Sequence, residues 1–480
     1  MGTILGLSAS LRGARQGKGV DDLCSDLMGI DTKEDLFTYL ETETKSLAAL
    51  YEQAQVDGYS QLQNLIELNK NTYVKHGLSN CEAALAAGLW GCLQEKQDIV
   101  YCNLSRYFPE SGNTKFLEEL EEIILKSDGF LLSGPVYFGD RSSIAQEFIE
   151  FLSKSEKCRD HVRNKIFGGI SVGAKRNGGQ ETSLIYQLID LINLNMVGVG
   201  NDYGSTSQYG GTVVAGDIGT AAKDSYGLAT AIDTGKRVAR MTKMLSVETM
   251  IPNQKARVEI WLVQDDEMSF GLRTISNLIK QTSGLEQADI VIRDFTTSQI
   301  HRCIACDICP ISPGKAQEYR CVITKKDDLF VAEHPHLINV DAVLIAAYSP
   351  IDRSNINSVY QKFVERTRYL RRDDYALSDV LVAPFVISEI NSNQNLHLRM
   401  VTSLIRHHTM IHHPVLVYKY QDKLLDLTAA EYQLRSFVEY ATKCATTKVQ
   451  NSSIKTSYNP IGYVISAQSN QIFRSTKRDE

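Results

Sequence analysis

Long apolar runs are missing from this 480-residue sequence. Its best stretches, such as Val340 to Ala347, are broken and fall well short of the roughly 18 uninterrupted apolar residues that a spanning helix needs. No membrane is therefore expected as a partner. A surplus of basic charge is missing too: 51 Lys and Arg stand against 57 Asp and Glu, for a net charge of -6. That balance carries no electrostatic footprint for a nucleic-acid backbone, so DNA and RNA are not expected either. Proline is scarce at ten residues, and with 43% apolar and 22% charged residues the composition argues against a disordered or collagenous chain. Ten cysteines are too few for a disulfide scaffold. No basic leader precedes the first apolar stretch, and Gly6 stands where a myristoylation signal wants Ser or Thr, so the expected location is cytoplasmic.

At roughly 150 residues per domain, the length suggests two or three domains. Ile4 to Leu7 reads as a buried strand that ends in the small polar loop Ser8-Ala9-Ser10-Leu11-Arg12-Gly13. Residues 31 to 95 are helical in pattern, either an insertion or a long first crossover. Strand, helix, strand then follow at Ile99 to Leu104, Phe116 to Leu125 and Gly129 to Ser133. The alternation continues with a strand at Ile166 to Val172, a helix at Glu181 to Leu194 and a strand near Met196 to Val199, the order of a doubly wound parallel sheet. Patterning breaks near Thr249 to Lys255 around Pro252 and then restarts. Strands are expected at Val258 to Val263, Ile290 to Asp294, Val340 to Ala347, Val380 to Ile387 and Val415 to Tyr420. Two α/β domains in tandem are the economical reading, at 1–248 and 256–445. A polar tail at 446–480 is either disordered or an arm packed on the body. The copies align on a proline after the third strand, Pro135 in one and Pro350 in the other.

Three loops could hold a ligand. In Ser8 to Arg12, hydroxyls, backbone N–H groups and a guanidinium can surround a phosphate at the carboxyl end of the sheet. In Pro135 to Gly139, Tyr137 and Phe138 could lie against a planar ring. In Ser171 to Glu181, glycines permit close backbone approach. Each alone also has a bland reading, as a serine-rich turn or as aromatics covering a sheet edge. Three such loops after consecutive sheet strands point together to a ligand.

These residues resemble the flavodoxin-like NAD(P)H-dependent FMN reductases, and most closely their iron-sulfur flavoprotein branch. The matching pieces are Ser8 to Arg12, Gly134-Pro135-Val136-Tyr137, Arg176 to Glu181 and Gly235-Lys236-Arg237-Val238-Ala239. The resemblance implies two flavodoxin-like domains in tandem, with a helical insertion in the first. It implies that Ser8, Ser10 and Arg12 hold the phosphate of FMN. Pro135, Val136, Tyr137, Phe138 and Gly139 would then hold the flavin ring, beside Asn177, Gly178 and Gly179.

In the second half, Cys303-x2-Cys306-x2-Cys309 followed by Cys321 and Asp327-Asp328 is similar to the cysteine loop that holds a [4Fe-4S] cluster in iron-sulfur flavoproteins. Closely spaced thiolates suit one cube. A bare or redox-active thiol set and zinc stay open as alternatives. The gap from Cys309 to Cys321 is longer than the family's. Where the first half has Ser8 to Arg12, the second has Gln264 to Ser269 with three carboxylates, which would repel a phosphate. Where the second has its cysteines, the first has Tyr101 to Arg106 with a single Cys.

The expected function is therefore an FMN-dependent oxidoreductase with one flavin site, fed by NAD(P)H or ferredoxin and passing electrons to a small molecule or redox protein. An electron-transfer flavoprotein and a non-catalytic flavin-binding redox sensor or scaffold are the alternatives. The two domains are expected to pair as an intramolecular pseudo-dimer, with the cysteine loop of the second facing the flavin of the first. Further homo-oligomerisation is possible. His408 and His412 are four residues apart, but Pro414 and the following apolar run argue against the continuous helix a metal site would need. Trp90 and Trp261 read as core.

Overall fold

The computed structural model describes residues 2–12, 18–54, 77–109, 111–202, 207–246, 255–306, 319, 321–351, 356–371, 376–392 and 395–450. The chain divides into two compact units, Met1–Ser246 and Val247–Glu480. Both are built on mostly parallel sheets flanked by helices.

In the first unit the strands are β1 (Thr3–Ser8), β2 (Asp98–Asn103), β3 (Gly129–Pro135), β4 (Ile166–Gly173), β5 (Val197–Gly198) and β6 (Gly211–Val214). The order is β2-β1-β3-β4, with β5 and then β6 pairing along the outer edge of β4, all parallel. β4 is buried from end to end, because helices cover both faces of a parallel sheet and leave no solvent side to alternate toward. The chain leaves β1 first to one side and then to the other, so the switch point lies between β1 and β3. Open α/β sheets bind ligands outside the carboxyl ends of such strands.

The helices are α1 (Lys18–Met28), α2 (Lys33–Ala54), α3 (Asn80–Gln94), α4 (Leu117–Leu125), α5 (Ser143–Lys154), α6 (Glu156–Val162), α7 (Gln180–Asn193) and α8 (Ser225–Leu245). The helical stretch expected at 31–95 proves to contain two different things. α2 is extra material, joined by α1 upstream of the expected start. α3, buried from Cys81 to Cys92, is the crossover that carries the chain from β1 to β2. Its small and apolar residues run all round the helix, so periodicity could not separate a core crossover from an insertion. The strand expected near 196–199 shrinks to Val197–Gly198, and β6 takes over its pairing further along β4.

α3 and α8 meet backbone to backbone. A Cβ on Gly235 would lie 1.8 Å from the carbonyl oxygen of Gly88, and one on Gly91 would lie 2.2 Å from that of Ile232. Cys92 Sγ donates to the Gly235 carbonyl at 3.3 Å. The glycine of the Gly235 to Ala239 segment is thus a steric requirement of this crossing.

In the second unit the strands are β7 (Ala256–Gln264), β8 (Ala288–Asp294), β9 (Ala342–Ser349), β10 (Leu381–Glu389), β11 (Met410–Ile411), β12 (Val415–Tyr420) and β13 (Lys423–Leu424). Their order is β8-β7-β9-β10, with β11 and then β12 along the outer edge of β10. β13 adds an antiparallel hairpin to β12. The longer helices are α9 (Phe270–Gln281), α10 (Ile356–Arg366), α11 (Leu396–Leu404) and α12 (Thr428–Gln450). Each unit thus leaves its first strand to both sides and ends in a fifth strand broken into a two-residue piece and a longer one. α12 continues to Gln450, five residues into the segment expected as a tail; residues 451–480 and the junction 247–254 lie outside the described residues. Among the described residues no helix is long and apolar enough to cross a membrane.

Gly235→Ala should lower the unfolding free energy by about 3 kcal/mol, the scale of overpacking against backbone that cannot yield. Urea denaturation followed by circular dichroism reads this directly, and an unchanged midpoint would refute the backbone contact.

Candidate functional site

β1 ends at Ser8, and the residues that follow are tied to the neighbouring strand before they turn away. The Ala9 N–H donates to the Ser133 carbonyl at 2.8 Å. Ser142 Oγ, at the N-cap of α5, donates to the Ala9 carbonyl at 3.0 Å. Ser10 Oγ then accepts the Arg12 N–H at 3.1 Å, a hydroxyl-closed turn that lifts the chain off the sheet. Ser8 and Ser10 are buried, and Ser8 Oγ has no hydrogen-bond partner. A buried hydroxyl left unsatisfied costs about 1–3 kcal/mol and calls for a partner.

The N-terminus of α3 is fixed beside this loop. Ser133, which lies opposite Ser8 in the sheet register, donates through Oγ to the Cys81 carbonyl at 2.9 Å. Ser79 and Glu82 form a reciprocal capping box, with Glu82 Oε2 accepting the Ser79 N–H at 2.8 Å. The other Glu82 oxygen accepts from the Tyr101 hydroxyl at 2.5 Å. Asn80 donates to the Asp217 carbonyl at 2.8 Å and accepts from the Ala221 N–H at 3.0 Å. Burial pushes the Cys81 thiol well up, the Glu82 charge adds to it, and the Arg12 guanidinium acts the other way. The extra helix α2 walls this end: the Arg12 guanidinium carbon stands 5.7 Å from the ring centroid of buried Tyr51. A Cβ on Gly219 would fall 2.7 Å from the Thr44 carbonyl oxygen. Ser79, Asn80 and Tyr51 do not stand out as site residues in the sequence. The spacing Ser79-x2-Glu82 was the available signal for a helix start.

The second loop is a tight turn. Val136 N–H donates to the Val172 carbonyl at 2.9 Å, and Tyr137 and Asp140 exchange backbone bonds of 2.8 and 2.9 Å. The residues between them, Phe138 and Gly139, both have positive φ, +52° and +84°. A left-handed conformation costs a residue with a side chain about 1–2 kcal/mol. Phe138 is fully exposed and Tyr137 is 46% exposed, so these aromatics do not serve to cover the sheet edge.

The third loop is organised by Gln180, whose amide donates to the Lys175 carbonyl and accepts the Gly178 N–H, each at 2.8 Å. Asn177 and Gly179 have φ of +59° and +101°. A Cβ on Gly179 would lie 2.9 Å from Gly139 Cα and 3.2 Å from Val136 Cγ1. The second and third loops therefore touch through glycine backbone. Arg176 is committed elsewhere, to the Thr212 carbonyl and to Asp224. Ser171 Oγ, like Ser8 Oγ, is buried without a partner.

In the second unit the corresponding turn after β7 is already filled. Asp265 Oδ1 accepts the N–H groups of Gly271 at 2.7 Å and Asp266 at 2.8 Å, and Oδ2 accepts that of Leu272 at 2.8 Å. A carboxylate of the chain itself thus occupies the helix N-terminus at which an external anion would sit.

Of the four cysteines singled out, Cys303, Cys306 and Cys321 are half-buried, and Cys309 lies outside the described residues. Among the described residues no three His, Cys, Asp or Glu side chains gather as a metal site. The described thiols alone do not fit a cluster. Their loop is clamped by buried Asp328, which takes a two-pronged ion pair from Arg366 at 2.7 and 2.9 Å and accepts the His301 N–H at 3.1 Å. Arg366 also donates to the His301 carbonyl and the Tyr319 hydroxyl. Burial would raise the Asp328 carboxyl, but the Arg366 and His301 bonds outweigh it and hold it below its usual range. His408 and His412 share no helix: α11 ends at Leu404 and β11 begins at Met410. His412 packs on the rings of Phe437 and Tyr440, and burial takes it down to about 3. Trp90 and Trp261 are buried.

Residues 80–210 match the family model described as NADPH-dependent FMN reductase. An iron-sulfur flavoprotein of Methanocaldococcus jannaschii is 34% identical over 155 residues, 32% of this chain and 78% of the relative. The chain belongs to the NADPH-dependent FMN reductase and iron-sulfur flavoprotein family. It is a flavin-dependent oxidoreductase by that membership. An iron-sulfur flavoprotein of Methanosarcina thermophila is 25% identical over 130 residues, 27% of this chain and 63% of its own length. A solved flavone reductase aligns at 12% identity with a TM-score of 0.27, over 50% of this chain and 63% of that one. The chain thus spans just under two thirds of these last two proteins. The family match opens at Asn80, the first residue of α3, and closes before β6.

The first-unit residues fit an FMN in this family's sense. An unsatisfied buried hydroxyl, a helix N-terminus and a guanidinium stand at one end, and two loops packed through glycine stand at the other. Gly179→Ala would force a methyl group between those loops at a φ that disfavours it. It should weaken FMN binding about tenfold or more, read by fluorescence titration of flavin-stripped protein. Unchanged affinity would refute a role for the Gly139–Gly179 contact in the site.

Proposed function

We propose that the first unit binds one FMN and that the chain is an NAD(P)H-dependent oxidoreductase built as a fused tandem of flavodoxin-like domains, the second of which has given up its flavin site. The buried, unpartnered Ser8 hydroxyl supports this reading, since Ser133 opposite it bonds the first turn of α3 at the Cys81 carbonyl. An FMN phosphate there would accept from Ser8 Oγ, Ser10, the first N–H groups of α3 and Arg12, all of which favour a dianion. Bound FMN supplies hydride and single-electron chemistry; the chain's part is to bind, orient and tune it. Val136 to Gly139 and Asn177 to Gly179 would hold the ring, with Tyr137 available to lie against it. The shared strand order of the two units supports the tandem. The carboxylate of Asp265, seated on three backbone N–H groups, supports a single flavin.

Purified protein should carry one FMN per chain. Arg12→Ala should weaken FMN binding about tenfold to a hundredfold, the scale of a charge-assisted phosphate contact, whereas Asp265→Asn should leave it unchanged. Two flavins per chain, or an unaffected Arg12→Ala variant, would overturn the proposal. Steady-state reduction of a quinone, ferricyanide or free flavin by NADPH tests turnover, and its absence with flavin bound would favour a redox sensor instead.

A second reading, that Cys303, Cys306, Cys309 and Cys321 hold a [4Fe-4S] cluster, is supported by their spacing and by the buried Asp328–Arg366 clamp on the loop. Anaerobically purified protein should then contain about four irons with matching acid-labile sulfide. It should absorb broadly beyond the flavin bands, and Cys306→Ala should abolish that absorption while leaving the flavin. Zinc alone, or no metal after anaerobic reconstitution, would refute it.

A further inference from the structure

A cavity of about 690 Å³ opens in the second unit where the start of the cysteine loop, the end of α10 and the turn after α11 come together. That is within the size range of small-molecule sites. Arg302, Arg368, Arg371 and Arg406 line it, together with Cys303 and His407, and Glu365 is the one carboxylate among the described residues that line it. Arg302 and Arg406 are exposed and make no ion pair among the described residues. Two exposed guanidiniums, Arg302 and Arg406, thus face one concavity without a carboxylate partner among the described residues. Their planar fork suits phosphate oxygens.

His407 adds a second, independent feature. The side chain is 5% exposed and its Nδ1 has no hydrogen-bond partner. Thr367 Oγ1 donates its one hydrogen to the Val364 carbonyl at 2.7 Å, so toward His407 Nε2, 3.1 Å away, it acts as acceptor. The Nε2 therefore carries the hydrogen. Burial, followed by the charges of Arg371, His408 and Arg406, holds the ring well below its ordinary pKa, so it is neutral and Nδ1 is left as a lone-pair acceptor. An acceptor in a cationic cavity has no use for a phosphate oxygen, but it can take a hydroxyl hydrogen.

We propose that this cavity binds a phosphorylated small molecule of nucleotide size, its phosphates held by Arg302 and Arg406 and a sugar hydroxyl donated to His407 Nδ1. None of these residues belongs to the flavin site of the first unit, so this assignment stands or falls independently of that one.

Isothermal titration calorimetry on the flavin-loaded full-length protein tests it with ADP, pyrophosphate, inorganic phosphate and adenosine as probes. ADP should bind in the micromolar range, pyrophosphate should compete more weakly, and adenosine should not bind at millimolar concentration. Arg406→Ala and Arg302→Ala, both at exposed positions, should each weaken ADP binding about tenfold without changing the FMN content. Raising the salt should weaken binding to the parent protein more than to either variant. Absence of ADP and pyrophosphate binding, or equal ADP affinity in the Arg302→Ala/Arg406→Ala double variant, would overturn the proposal. Inorganic phosphate binding as tightly as ADP would overturn the nucleotide-sized ligand and the His407 contact.

Discussion

Helix α3 can offer its N-terminus at the carboxyl end of β1 because its body is pressed against α8 with no side chain between the two backbones. Gly88, Gly91 and Gly235 permit that approach, and the crossing fixes how far α3 extends past the sheet edge. The capping box of Ser79 and Glu82 and the Ser133 bond to Cys81 then hold the first turn beside the end of β1. A helix terminus attracts an anion only where its N–H groups are aimed and held. In this unit the aim is set by glycine contacts further along the helix, and so the proposed phosphate site would depend on residues that never approach the ligand.

The second unit shows what the same topology does when the loop chemistry changes. Its sheet leaves β7 to both sides just as the first leaves β1, and α9 follows β7 directly. Asp265 sits where the first unit has its small hydroxyl residues, and it accepts the N–H groups of Gly271 and Leu272 at the start of α9 and that of Asp266 beside it. Burial raises the Asp265 carboxyl, and the backbone bonds of Leu272, Gly271 and Asp266 work against that rise. An internal carboxylate so placed satisfies the helix terminus without a ligand. It also opposes any incoming phosphate by charge and by occupancy. Sequence comparison of the two halves shows the repulsion; the structure adds that the repelling group is itself the plug.

Much of the sheet was legible because parallel strands buried on both faces read as continuous apolar runs, as in the stretch from Gly129 to Ser133. The three site loops were legible because each follows such a run. α3 was not, because a helix buried all round has no polar face to betray its role, and it merges with the polar α2 into one helical stretch. The Arg366 clamp on Asp328 was hidden for another reason. Its partners are 38 residues apart, and nothing local marks an arginine as buried. The four arginines around His407 are likewise scattered over the cysteine loop, α10 with the turn that follows it, and the turn after α11, so only folding makes them one feature. In the histidine run the proline at 414 and the strand after it were the informative residues, since they deny His408 and His412 a common helix.

The position of the extra helix also has a physical rationale. Residues added between β1 and α3 leave from the carboxyl end of the sheet, where loops carry no ladder bonds, so the strand order survives the addition. The cost is that Arg12 and Ser79, which the proposed phosphate site would bring to one anion, become 67 positions apart in the chain. The added segment offsets this by bordering the proposed site. Glu43 on α2 accepts the Gly77 N–H at 2.6 Å, which brings the returning chain in at the right place for α3. Tyr51, two turns further along the same helix, faces the Arg12 guanidinium. An arginine held over an aromatic face, with no carboxylate partner among the described residues, keeps its N–H edge available for a phosphate. The added helix thus replaces, through one backbone bond and one ring, the short connection that would otherwise have kept the loop and the helix terminus together.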